Sequence, residues 1–168
     1  MQPIQFKTKI SKGEYIKLIF LLTYRKGWIV LITAIGILFL LHLTLQHFGL
    51  IPNYFDDGKF PIINMVFGFL AVFILPISIY FSAKKTYLAN RHLHEDIEYQ
   101  ISKDYFKQTG PHFSAELTWD RLYKIEELNK WFLIYPSDRI ANFLPKKTLT
   151  GEEVQMIRSF LKTIKPLK

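Results

Sequence analysis

The chain has 168 residues, a formal net charge of +8, 15 Phe, 9 Tyr and no cysteine. That length holds one modest domain plus a membrane segment, and the missing cysteine excludes disulfides, thiolate nucleophiles, cysteine-type zinc sites and iron–sulfur clusters. The charge is net +5 over residues 1–27, −1 over 28–83 and +4 over 84–168, so the basic excess flanks the apolar stretches, a pattern of membrane orientation rather than nucleic-acid binding.

Ile4, Phe6, Thr8 and Ile10 alternate with Gln5, Lys7 and Lys9, which predicts a half-buried strand. Ser11 and Glu14 have capping-box spacing and predict a helix from about Lys12 to Tyr24 that leads into a first span. Residues 1–27 are therefore expected to form a cytoplasmic strand and amphipathic helix.

Gly27 to Phe55 holds no Asp, Glu, Lys or Arg. Its core, Trp28–Leu45, would rise about 27 Å as a helix, close to the roughly 30 Å of bilayer hydrocarbon. A second uncharged run covers Pro61–Ala83. The expectation is a transmembrane hairpin over residues 28–83, with spans at about 28–48 and 61–83. The loop 49–60 carries the turn formers Pro52, Asn53, Asp56, Asp57 and Gly58.

Arg25-Lys26 before the first span and Lys84-Lys85 after the second predict a multi-pass inner-membrane protein with both termini cytoplasmic. The first span is expected to be an uncleaved signal anchor, because LTLQHFG offers no small-x-small cleavage site. Pro76 removes a backbone donor within the second span and predicts a local kink. Gly36 and Gly68 allow the two helices to approach closely. His42, with Gln46 and His47 following, is read as marking the outer interface rather than as a proton relay.

After the hairpin, Lys84 to about His94 extends the second helix. The runs IEYQIS, YFKQTG, FSAELTW, WFLIYP and RIANFL are short, aromatic and β-branched, and predict an antiparallel sheet. Residues 118–128 fit a strand or a helix. Thr150 and Glu153 form a second capping box, opening a helix with Val154, Ile157, Leu161 and Ile164 on one face, expected to pack on the sheet.

This order of parts resembles the YcxB-like bacterial membrane proteins. The residues carrying the resemblance are the helix start Ser11–Tyr15, the paired spans, TWDRLYKIEE with its Trp119, WFLIY followed by ANFLPKKTL, and the final helix. It implies an α+β membrane protein: a two-helix transmembrane hairpin plus, over residues 84–168, a small antiparallel pleckstrin-homology-like domain closed by a C-terminal helix. It implies no assigned biochemical activity.

No constellation in the chain points to catalysis, a cofactor or a metal. There is no GxSxG elbow, glycine-rich phosphate loop or HExxH. His92 and His94, two apart on a helix, would point to different sides. Glu126-Glu127 would point to opposite faces of a strand and is read as a solvated charge. Trp119 and Trp131 are read as sheet packing rather than as a stacking platform for nucleic acid. Lys84, Lys85, Arg91, Lys146 and Lys147 are the candidate contacts for anionic lipid or a partner, each worth about 1 kcal/mol near an anionic surface. The expectation is a non-enzymatic, membrane-anchored interaction module that binds membrane lipids and a protein partner or itself, and no nucleic acid. The alternatives are a small oligomeric transporter or sensor built around His42, Asn64 and Pro76, and a membrane enzyme acting on lipids.

Overall fold

The computed structural model describes residues 3–52, 59–138 and 140–166, leaving out the side chains of residues 59–61 and 91. Residues 53–58, most of the expected outer loop, therefore lie outside the described residues. The chain divides into two compact units. One comprises residues 12–89; the other joins residues 1–11 to residues 90–168.

The first unit is helical: α1 (Lys12–Tyr24), α2 (Gly27–His47), α3 (Lys59–Phe69) and α4 (Leu75–Ala89), with a wider π-type turn at Leu70–Ile74. Two stretches, Gly27–His47 and Ile62–Ala89, are long and apolar enough to cross a membrane. Along α2 only Ile29 and Gly36 are buried, and Leu31, Leu38 and Leu41 are more than half exposed. An apolar surface on nearly every side suits lipid rather than water. At its end, Gly49 takes φ +67°, and the Gly49 and Leu50 N–H groups donate to Gln46 and Leu45 oxygens, each at 2.9 Å. That left-handed stop satisfies carbonyls that would otherwise lack donors. Close contact between spans is made at the glycines: a Cβ on Gly36 would stand 2.7 Å from the Ala71 Cβ, and one on Gly68 3.0 Å from the Gly36 oxygen.

The second unit holds seven strands among the described residues. They are β1 (Ile4–Thr8), β2 (Ile97–Ile101), β3 (Tyr105–Gly110), β4 (Phe113–Thr118), β5 (Lys124–Glu127), β6 (Trp131–Tyr135) and β7 (Asn142–Pro145), followed by α5 (Gly151–Ile164). They make two antiparallel sheets, β1-β2-β3-β4 and β5-β6-β7, rather than one. The strand expected over Ile4–Ile10 ends at Thr8, opposite Ile97. The expected helical extension to His94 stops at Ala89, and Arg91–His94 form a short 3-10 turn. Residues 118–128 are neither wholly strand nor helix: Trp119–Arg121 make a 3-10 turn and Lys124–Glu127 a strand.

The two sheets and α5 share one core. Ile97, Tyr99, Ile101 and Phe106 from the first sheet meet Ile125, Phe132, Ile134 and Leu144 from the second, with Ile157 and Leu161 from the helix. Rings continue from strand to strand, Phe6–Tyr99 at 5.2 Å, Tyr99–Phe106 at 6.2 Å, Phe106–Trp119 at 6.3 Å and Trp119–Phe160 at 5.8 Å. Each polar end within this stack is satisfied. The Tyr99 hydroxyl donates to the Phe143 oxygen at 3.1 Å, and Trp119 Nε1 to the Ser102 oxygen at 3.1 Å. The outward face of the first sheet is polar, with Lys7 opposite Glu98 and Lys107 opposite Glu116.

Candidate functional site

The five candidate cations fall in different surroundings. Lys84 is half-buried and Lys85 exposed near the end of α4. The side chain of Arg91 lies outside the described residues. Lys146 and Lys147 follow Pro145 at the end of β7, in the unit that holds the sheets.

Lys146 is committed within that unit. Its Nζ donates to Glu127 Oε1 at 2.6 Å and to the Leu128 oxygen at 2.7 Å, and lies 4.3 Å from the centre of the Phe132 ring. Its side chain is 11% exposed, which leaves little ammonium to offer a headgroup. Lys147 is more accessible, and its Nζ donates to the Lys9 oxygen at 2.6 Å. It thereby ties the β7 turn to the segment just after β1.

Glu127 is the centre that the sequence does not reveal. Besides Lys146 it receives Arg158 Nε at 2.8 and 2.9 Å and Arg158 Nη2 at 2.6 Å. The Arg158 guanidinium, then the Lys146 ammonium, hold the Glu127 carboxyl below the ordinary carboxylate range against the opposing effect of burial. A fork-shaped guanidinium on a carboxylate is the strongest of the charge-assisted arrangements. It joins β5 to α5, while Lys146 adds β7. Glu126 faces the other way, as strand alternation requires. It is not the solvated charge expected: it is 8% exposed and takes Lys124 Nζ at 2.7 Å. The two carboxylates therefore serve separate cations and do not form an acid–base pair. Arg158 alone could have been suspected, lying on the helix four residues after the buried-face Val154. Its acidic partner, 31 positions away, leaves no local signal.

The histidines are dispersed. His92 packs on Phe113 with centroids 4.3 Å apart, and His112 Nε2 stands 3.9 Å from Glu95 Oε1. Among the described residues no group of three His, Cys, Asp or Glu is placed to hold a metal ion. In the helical unit Asn64 is 3% exposed, while His42 is half-buried. An apolar groove of about 530 Å³ runs past Leu40, Leu43, Thr44, His47, Ile62 and Met65. His42 does not line it. The structure thus gathers a clamp around Glu127 that includes one predicted residue, Lys146, while Lys147 beside it reaches the Lys9 oxygen instead.

A family model described as YcxB-like protein matches residues 101–161, from the end of β2 to Leu161 in α5. The whole Glu127–Lys146–Arg158 clamp lies within that stretch. No curated protein and no solved structure gives a match.

Proposed function

We propose that this chain, YcxB-like over residues 101–161, is a non-enzymatic interaction module held at the cytoplasmic face of the inner membrane. The helical hairpin is the anchor, and the β-unit is a pleckstrin-homology-like domain that engages a protein partner or a second copy. One observation carries this reading: the four-plus-three strand order closed by a C-terminal helix. Such a strand order is what a pleckstrin-homology-like fold requires. The flanking pairs Arg25-Lys26 and Lys84-Lys85 support cytoplasmic termini. The exposed cations Lys85 and Lys147 supply general attraction to anionic lipid, while Lys146 serves the domain's interior.

The cysteine-free sequence makes the topology directly testable. A cysteine replacing Asp57 should react with an impermeant maleimide on intact cells, and one replacing Asn129 should not. The reverse labelling would sink the proposed orientation. For the function, a photo-crosslinking residue at position 147 in native membranes should capture one dominant protein in near-stoichiometric yield, or the chain itself. Capture of lipid alone would remove the scaffold reading.

A second reading is an oligomeric sensor or transporter, with Asn64, a buried amide within the helical unit, as a polar group on its interior. Resistance of an oligomer to detergent, lost in Asn64→Leu, would support it. A monomer in detergent would count against it.

A further inference from the structure

The second apolar stretch stays helical from α3 through α4, with one widened turn between them. Between α3 and α4 the chain winds wide over Leu70–Ile74, and the Leu75 N–H donates to the Leu70 oxygen, five residues back instead of four. Pro76 supplies the cause: it has no N–H, and in a regular helix its ring would strike the carbonyl of residue 72. At the same five-residue spacing the Ala71 carbonyl would look to residue 76 for its donor, and Pro76 has no N–H to give. A helix lacking that rung bends there more readily than along its regular turns.

The packing partner changes at the same place. α3 and the wide turn lie on α2, through Phe39–Phe67 at 5.7 Å and the Gly36–Ala71 approach. α4 makes its principal contacts with α1 instead, with Tyr15–Tyr87 at 5.8 Å. Because α1 and α4 run antiparallel with equal rise, that pair sets residues near 26 level with residues near 76. The chain is also broken at Lys26, whose φ −77° and ψ 111° separate α1 from α2. Both strands of the hairpin are thus interrupted at about the same height, beside the charged pair Arg25-Lys26.

In sequence, residues 9–11 connect β1 to α1, and Arg91–His94 connect α4 to β2. β1 and β2 are ladder neighbours, with Thr8 opposite Ile97. One antiparallel helix pair therefore feeds one antiparallel strand pair.

We propose that the hairpin is jointed: α1 and α4 form a stalk that tilts as one body against the α2–α3 pair, about the Lys26 break and the Leu70–Pro76 turn. This rests on the reading that α2 and α3 lie in the bilayer.

Spin labels on cysteines test it in the full-length chain in lipid nanodiscs. The pair Val66→Cys with Phe81→Cys spans the joint, and Val30→Cys with Thr44→Cys lies along α2. The expected result is a broader distance distribution across the joint than along α2, narrowed by Pro76→Ala. A cross-joint distribution as narrow as that of α2, and unchanged by Pro76→Ala, would overturn the proposal. Should Pro76→Ala fail to fold, the comparison of the two native pairs decides alone. Co-flotation of the chain with liposomes reads the membrane assignment separately, so a loss there is distinguishable from a rigid hairpin.

Discussion

At the scale of single residues, Glu127 decides more than its neighbours. Glu127→Gln leaves Arg158 and Lys146 without their shared anion and should cost about 1–2 kcal/mol, allowing for its partial exposure. The thermal midpoint of the β-unit, followed by tryptophan fluorescence, reads that loss. The sign of the pH effect follows from the carboxyl being held low. Its contribution is present above the ordinary carboxylate value of 4.5 and is lost as the pH falls through the lower folded value. The native chain should therefore lose more stability than Glu127→Gln on acidification below that range; parallel acid profiles would refute the assignment. Gly68 is decisive in a different way. Gly68→Ala would place a methyl 2.8 Å from Leu40 Cγ and 3.0 Å from the Gly36 oxygen. Backbone cannot yield as a side-chain tip does, so the helices must part, at about 1–3 kcal/mol. A disulfide between cysteines at Phe39 and Phe67 should form readily in the native background and poorly with Gly68→Ala.

At the scale of elements, α5 shows local and tertiary forces agreeing. Its start is a complete capping box: Thr150 Oγ1 accepts the Glu153 N–H at 3.2 Å, and the Thr150 N–H donates to Glu153 Oε2 at 2.7 Å. Thr150→Ala should lower stability by about 1 kcal/mol. Leu161→Ala, which opens a cavity in the shared core, should lower it by about 2–5 kcal/mol. Urea unfolding of the two variants compares them directly; equal midpoints would mean that α5 is not seated in the core as described. The strands were legible as short aromatic runs for the opposite reason to α5, since alternation marks each run but says nothing of its neighbour. β6 illustrates the limit. All five of its residues are buried, so no alternation survives, and its recognition depends on flanking turns and aromatic content alone.

At the scale of the whole molecule, the β-unit is assembled from residues on both sides of the helical hairpin. β1 adds Ile4 to the shared core and stacks Phe6 on Tyr99. Deleting residues 1–8 would uncover the β2 edge and that ring, so protease should cut residues 90–168 faster in the truncated chain. Unchanged protection would show that β1 is dispensable. The closing of two edges by side chains, Tyr99 to Phe143 and Lys147 to Lys9, belongs to this scale too, because each bond joins parts of the chain far apart in sequence.

What the sequence by itself determined is what neighbours decide: the two apolar stretches, the α1 bounds, the capping box at Thr150 and the positions of most strands. These follow from charge, periodicity and hydrogen bonding within a few residues. That the N-terminal strand finds its partner after the hairpin was legible as well; the tertiary structure alone decided that the partner is β2, that the strands split into two sheets, and that Glu127 finds Arg158. It also decided that the second apolar stretch changes partners at Leu70–Pro76. Pairings of this kind are settled by which buried surfaces and polar groups satisfy one another once the chain has closed on itself, and no local pattern encodes that choice.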